Sequence, residues 1–358
     1  MDLSVIDPRL VDAKIEAEDV VWQDALLAPF SLHGVYFDEE LRSYRRMPLA
    51  AAKAVNPGVF GLSGNTAGGR LRFRTDSPYV AIRAMLPTPA LMNHMPLSGS
   101  AGFALYIDGA YAGKYTPRID EAIAAREQGG LAYAGMVSRR PAHGGLYECE
   151  LYFPLYGGVR ELHIGLSRGA TLLPPTPYRA EKPLVFYGSS ITQGACASRP
   201  GNDYISILSR RLQVDVLNLG FSGNGNAEPA MLAYLCELDA LGYVFDYNFY
   251  LDRPERILPP HYDIYRCLRD AHPSVPILMM DKPAAVFDAE GYAARNAMIK
   301  ATYERALSEG DRLVGYIDSE KMMGDDPAAC FVDANHPNDL GFYRMADALY
   351  PILEKLLS

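Results

Sequence analysis

Hydrophobic and polar positions change their period about halfway along the chain. In the first half they alternate. Arg70-Leu71-Arg72-Phe73-Arg74-Thr75 puts an apolar side chain at every second position, the mark of a strand with one buried face. The turn signal Asp76-Ser77-Pro78 follows, and Tyr79 to Met85 repeats the pattern. Ala104 to Gly109 runs through an Asp-Gly step into Tyr111–Tyr115, which predicts a hairpin. Leu146 to Phe153 and Val159 to Leu166 add two more strands. Many short strands with Gly/Pro turns and few helices predict a β-sandwich of the jelly-roll kind. Residues 117–135 fit neither period and read as a helical or irregular insertion.

Pro174-Pro175-Thr176-Pro177 then reads as an extended linker, dividing the chain into an N-terminal β-sandwich domain at 1–177 and a second domain at 178–358. Beyond it the pattern changes: Leu184–Tyr187 is a short apolar run, and Val214–Leu219, Tyr243–Tyr247, Ile277–Met280 and Leu313–Ile317 read as four further strands. Helical patterns lie between or after them, through Tyr204 to Leu212 and near 231–238, 260–271, 291–308 and 340–357. Strands alternating with helices predict an α/β fold, a parallel sheet covered on both faces to make a three-layer α/β/α domain.

Composition narrows the function. A chain of 358 residues fits two domains at roughly 150 residues each. With 43 acidic against 34 basic residues, the net charge of −9 argues against nucleic acid, which needs a positive patch. No apolar run is long enough to span a membrane. Met1 to Val20 carries acids and lacks the basic and apolar regions of a signal peptide, so a cytoplasmic location is expected. Five cysteines, odd in number and scattered, form no CxxC pair, which argues against a disulfide framework and a structural zinc site. The chain holds 24 Tyr and a single Trp, Trp22, whose most economical reading is a core or interface anchor.

Candidate chemistry collects at the carboxyl ends of the predicted parallel strands, where such sheets bind ligands. Gly188-Ser189-Ser190-Ile191-Thr192-Gln193-Gly194 follows the first. A serine there exposes its hydroxyl at the sheet rim, before a helix N-terminus that favours developing negative charge, although a capped Gly/Ser turn explains the same residues. Gly220-Phe221-Ser222-Gly223-Asn224-Gly225-Asn226 follows the second and offers either oxyanion-binding N–H groups or a flexible loop. Asn248 follows the third. Asp333-Ala334-Asn335-His336-Pro337 follows the fifth, with an Asp three residues before a His that it can orient. Metal binding is hard to sustain, because the seven His residues show no ligand spacing. Arg199 could orient a polar substrate or pair with an acid such as Asp203, the latter favoured. Tyr247 either packs beneath Asn248 or lines the pocket. Cys196 reads as a small buried residue, Asp281 as a cap or turn, and Asp339 as a helix cap.

Ser190, Gly223, Asn248, Asp333 and His336 together resemble the four sequence blocks of the SGNH (GDSL-type) hydrolases, in order, over residues 180–358. The likeness implies Ser190 as nucleophile, His336 as general base, Asp333 as its orienting residue, and Ser190 N–H, Gly223 N–H and the Asn248 amide as oxyanion hole, with no cofactor or metal. Two blocks depart from the pattern: Gly-Ser-Ser stands for Gly-Asp-Ser, and Phe249 follows Asn248 where Asp is usual. Tyr187 to Gly194 and Ala197 to Gly201 resemble, more narrowly, the bacterial GDSL-like group with a GxDLY signature. Gly102-Phe103-Ala104-Leu105-Tyr106 fits that signature with Ala104 in place of Asp. The arrangement also resembles carbohydrate esterase family 2 deacetylases. The resemblance implies a serine esterase acting on acyl, first of all acetyl, groups of a small-molecule or oligosaccharide ester. An acyltransferase uses the same residues. A non-catalytic carbohydrate-binding protein has no need of Ser190, Asn248, Asp333 and His336 together. The Tyr excess predicts tyrosines around Ser190. Oligomeric state is left open, and a homo-oligomer is compatible with the chain.

Overall fold

The computed structural model describes residues 15, 17–138, 145–247, 260–283 and 287–358. Residues 20–173 supply twelve strands: β1 (Val20–Asp24), β2 (Ser31–His33), β3 (Tyr36–Asp38), β4 (Ser43–Arg45), β5 (Arg70–Thr75), β6 (Tyr79–Leu86), β7 (Phe103–Ile107), β8 (Ala110–Tyr115), β9 (Leu131–Ser138), β10 (Tyr147–Tyr152), β11 (Glu161–Ser167) and β12 (Leu172–Leu173). One antiparallel sheet runs β1-β11-β6-β9; the other runs β12-β5-β10-β7-β8, with β2 also on β5. Ile82, Ile164 and Leu166 of the first sheet share a core with Phe73, Leu105 and Leu151 of the second, so the two pack as a sandwich.

The strands found by alternation are in place. The unassigned stretch 117–135 resolves into a helix, Ile119–Gln128, ended by Gly129 at φ 73°, and most of β9. That helix leaves Ile119 and Ile123 exposed, so it carries no clean apolar stripe to read. Alternation misleads at β5 in another way. It assigns Arg70 and Arg72 to a solvent face, yet both are buried. The C-terminal half covers that face: Arg70 pairs with Asp215, and both guanidinium groups lie over the Tyr178 ring.

The second half contributes β13 (Leu184–Gly188), β14 (Val216–Gly220), β15 (Gly242–Asp246), β16 (Ile277–Met280) and β17 (Val314–Ile317), all parallel, in the order β14-β13-β15-β16-β17. Phe186, Val244 and Leu278 face the helices Tyr204–Leu212 and Asp339–Leu356 on one side. Val185, Tyr243, Phe245 and Ile277 face Pro229–Glu237 and His261–Ala271 on the other. Burial on both faces is why these strands are largely apolar rather than alternating, with Asn218 and Asp246 as buried polar interruptions. Gly188 stands level with Gly220 on one side and Asp246 on the other. Chain order reverses around β13, and a crevice opens there.

Two buried arginines join the halves. Arg46, just after β4, donates from Nη1 to the carbonyls of Asn218 (3.0 Å) and Gly220 (2.7 Å), from Nη2 to Leu62 O (2.8 Å) and from Nε to Asn65 O (2.9 Å). Its guanidinium also lies 4.9 Å from the centre of the Phe221 ring. Asp215, paired with Arg70, is held a second time by His33 Nδ1 at 2.9 Å. Nearby, Gly99 sits where a Cβ would lie 2.3 Å from the Ala197 carbonyl oxygen, so only glycine lets these segments meet. Arg46→Met strands four carbonyls and is expected to lower unfolding free energy by about 3 kcal/mol. Urea denaturation followed by fluorescence tests this, and an unchanged midpoint would show that the clamp contributes nothing.

Candidate active site

Gly188 ends β13 without a side chain because none fits: a Cβ would stand 2.2 Å from Thr192 Oγ1 and 2.6 Å from the Asp246 carbonyl oxygen. The chain can therefore turn sharply. Ser189 accepts the Ile191 N–H, and Ser190 opens a single helical turn, Ser190–Gln193, closed by Gly194 at φ 104°. A helix this short carries little macrodipole, so the negative-charge preference expected of its N-terminus contributes little. Ser190 is nearly buried, with its Oγ 3.0 Å from His336 Nε2.

His336 is held by its own loop. Phe331 bridges Pro337, Val332 N–H donates to His336 O at 2.9 Å, and Asn338 N–H donates to Cys330 O at 2.8 Å. Inside this pinch, the Asp333 carboxylate accepts from Asn335 N (2.8 Å), His336 N (2.6 Å) and His336 Nδ1 (3.0 Å). The Asn335 side-chain amide also reaches His336 Nε2, at 3.0 Å. Asn338 caps the final helix. Asp339, expected as the cap, instead accepts from Ser198 N (2.8 Å) and Ser198 Oγ (2.5 Å), fastening the loop beyond the nucleophile turn.

The electrostatics favour a neutral imidazole beside an ionised carboxylate. Burial lowers the His336 pKa below its ordinary 6.5; Asp333 opposes this, while His94 and Lys282 add to it. Burial works against the Asp333 charge, but the His336 ring and the two backbone N–H groups hold its carboxyl below the usual range. Nδ1–H donates to Asp333, which leaves the Nε2 lone pair toward Ser190. Asp246 is buried behind the turn; burial pushes it up to about 7, against the Thr192 hydroxyl at 2.7 Å and the Lys282 charge.

The structure thus brings Ser190, His336 and Asp333 together. Gly223, at φ 68°, lies on the loop after β14, which is docked against the Ser190 turn through Phe221 N–H to Gly188 O (2.9 Å) and Ser222 N–H to Gln193 Oε1 (3.1 Å). Asn248 lies outside the described residues, two positions beyond the end of β15. Tyr247 is a core residue: its hydroxyl donates to Asn226 O at 3.1 Å and its ring stacks with Tyr187 and His261. Arg199 does not pair with Asp203, which caps the helix Tyr204–Leu212. Its guanidinium instead lies 4.0 Å from the Tyr111 ring centre, across the interface, and donates to Asn202. Cys196 is buried as expected, and burial pushes its thiol up to about 12. Asp281 is buried and accepts the Tyr316 hydroxyl at 2.9 Å, with burial raising it to about 6. Trp22 sits on β1 with Arg83 over its ring, 4.0 Å from the centre.

Most of the abundant tyrosines fill cores rather than the rim. Tyr156, from the N-terminal half, has its hydroxyl 3.5 Å from Ser190 O. Ala104, the departure from GxDLY, packs with Tyr106 and Tyr152, and the Arg210 guanidinium lies over both rings. Sequence reasoning missed His94, Lys282 and Tyr156, whose spacing carries no signal, and passed over Asn335 inside the block it quoted. A cleft of about 530 Å³ beside His336 is lined by His94, Pro96, Cys196, Ser198, Asn338 and Asp339 among others.

Comparison with known proteins accords with this geometry. Residues 181–354 match the GDSL-like lipase/acylhydrolase family model, and residues 20–172 match GxDLY, the N-terminus of SGNH-hydrolase-type esterases. A Bacteroides ovatus protein described as a GDSL-like lipase is 29% identical, with 94% of this chain and 98% of that one covered at a TM-score of 0.77. The salicylyl-acyltransferase SsfX3 of a tetracycline biosynthetic pathway is 20% identical, with 95% and 98% covered at a TM-score of 0.71. A family two carbohydrate esterase from Clostridium thermocellum, solved with cellohexaose, is 14% identical, with 92% and 99% covered at a TM-score of 0.60. No curated protein sequence matches the chain.

The His336 ring should titrate below 6.5, read by NMR of its imidazole. Lys282 is buried and donates from Nζ to the Tyr292 hydroxyl at 3.1 Å. Its positive charge disfavours a second cation at His336, so Lys282→Met should move the midpoint upward. A wild-type midpoint above 6.5, or a fall in the variant, contradicts this electrostatic picture.

Proposed function

We propose that this chain, a carboxylic ester hydrolase of the GDSL-like (SGNH) type with a GxDLY-type N-terminal region, is a serine esterase that removes acetyl groups from a carbohydrate or similar small polar ester. The observation that carries the mechanism is the relay of two 3.0 Å contacts, Ser190 Oγ to His336 Nε2 and His336 Nδ1 to Asp333 Oδ2. Ser190 Oγ bonds to the acyl carbon as His336 Nε2 takes its proton, and the carbonyl electron pair moves onto oxygen. Asp333 keeps the Nδ1 proton and stabilises the imidazolium. Ser190 N–H, Gly223 N–H and the Asn248 amide receive the oxyanion. Collapse expels the alcohol, which takes the proton from His336, and water then repeats the sequence to free the acid and Ser190.

The acetyl-carbohydrate assignment draws on the family two carbohydrate esterases among the structural neighbours. The mixed lining of the cleft, with Ser198, Asn338 and Asp339 beside Pro96, Val332 and Leu340, suits a polar alcohol better than a long acyl chain. A second reading, acyl transfer to another alcohol, is favoured by the likeness to an acyltransferase over nearly the whole chain. The two differ only in what deacylates Ser190.

Ser190→Ala, His336→Ala and Asp333→Asn should each lower turnover of an activated acetyl ester by about 10³-fold or more with the fold intact. Asn248→Ala should cost about 10²–10³-fold. Losses under tenfold would remove these residues from the chemistry. Free acetate released from acetylated manno-, xylo- or amino-sugar oligosaccharides supports hydrolysis. Acetate that appears on an added acceptor alcohol at the expense of free acetate assigns transfer instead.

A further inference from the structure

His94, Cys196 and His336 are far apart in sequence, and no spacing links them. The fold gathers them: one donor atom from each, a ring nitrogen or the sulfur, lies within 4.8 Å of the other two. The two imidazole centroids stand 5.2 Å apart. His94 is exposed, Cys196 is buried, and the cleft beside His336 opens onto both. Asp333 holds Nδ1 of His336, so Nε2 is the nitrogen available to an ion, which would displace the Ser190 hydroxyl and the Asn335 amide from it.

Two imidazoles and a thiol suit zinc or a similarly borderline divalent ion, and not magnesium or calcium, which want oxygen donors. Bond lengths near 2.0 Å to nitrogen and 2.3 Å to sulfur put two nitrogens and one sulfur about 3.3–3.5 Å apart in a tetrahedron. The 4.8 Å bound on the three donors exceeds this by about 1 Å, which is the contraction that ion binding requires. Asp333 behind His336 is the carboxylate partner that metal-binding histidines ordinarily carry.

We propose that His94, Cys196 and His336 form a zinc-binding site that switches the enzyme off. The ion takes the Nε2 lone pair that otherwise receives the Ser190 proton. Cys196 binds as thiolate and releases its proton to solvent, and water or Ser190 Oγ completes the tetrahedron. No electron changes hands, so a chelator reverses the state. The inhibitory consequence rests on His336 acting as the base, whereas ion binding does not. His94 comes from the N-terminal half, so the switch requires both halves of the chain.

Two titrations of the full chain test this. Cobalt(II), a spectroscopic substitute for zinc, should bind one ion per chain, with tetrahedral visible bands and a thiolate-to-metal charge-transfer band. Cys196→Ser should abolish that charge-transfer band, and His94→Asn should weaken binding at least tenfold. Zinc should inhibit acetyl-ester turnover until chelator is added. Both variants should raise the half-inhibitory zinc concentration at least tenfold, each measured against its own metal-free rate. Cys236 and Cys267, with sulfurs 3.1 Å apart, are the competing thiols. A band that survives Cys196→Ser and disappears in Cys236→Ser overturns the proposal, as does inhibition unchanged in both variants. If the wild type turns over no ester, the cobalt titration still decides the site, and it is the esterase reading that has failed.

Discussion

The position of the Arg46 guanidinium constrains everything around the site. It lies buried between the two halves and spends its donors on four backbone carbonyls, two of them at the end of β14. Burying a charge is costly, and only a nearly complete set of acceptors offsets it. Those acceptors exist in one geometry, with the β-sandwich seated against the end of the strand that leads to the Gly223 loop. The same seating brings Tyr156 to Ser190, His94 to His336 and Gly99 to the Ala197 carbonyl. The N-terminal half is therefore part of the site's frame and not an appendage to it.

Within that frame the chemistry follows from register. Gly188, Gly220 and Asp246 end level, so the loops that follow three neighbouring strands share one crevice. The His336 loop reaches the crevice from beyond β17, and its internal hydrogen bonds fix the ring before any substrate arrives. Burial and nearby positive charge keep that ring neutral while three donors keep Asp333 ionised. Both states are the ones general-base chemistry needs. The neutral ring nitrogen that suits a general base also suits a metal ion, which is why the proposed base and the proposed ion site share His336.

Legibility in the sequence tracked how local each signal is. The five parallel strands were readable because burial on both faces leaves short, mostly apolar segments. The Ser190 turn, the DxxH pair and the glycine loop stood out in the sequence because their residue types sit at strand ends. Features set by the other half of the chain were not. Arg70 and Arg72 look solvent-facing until Asp215 and Tyr178 cover them, and Arg199 finds Tyr111 rather than its neighbour Asp203. The tyrosines, expected at the rim, mostly hold cores together. β1 to β4 are three to five residues long, too short for a period to register.

The central claim is that Ser190 is the nucleophile, activated by His336. The direct measurement is fluorophosphonate labelling of the native protein, with the modified peptide located by mass spectrometry. The account predicts one adduct per chain, on Ser190, formed far more slowly in His336→Ala. An adduct on another residue, or no adduct on the folded protein, would contradict it.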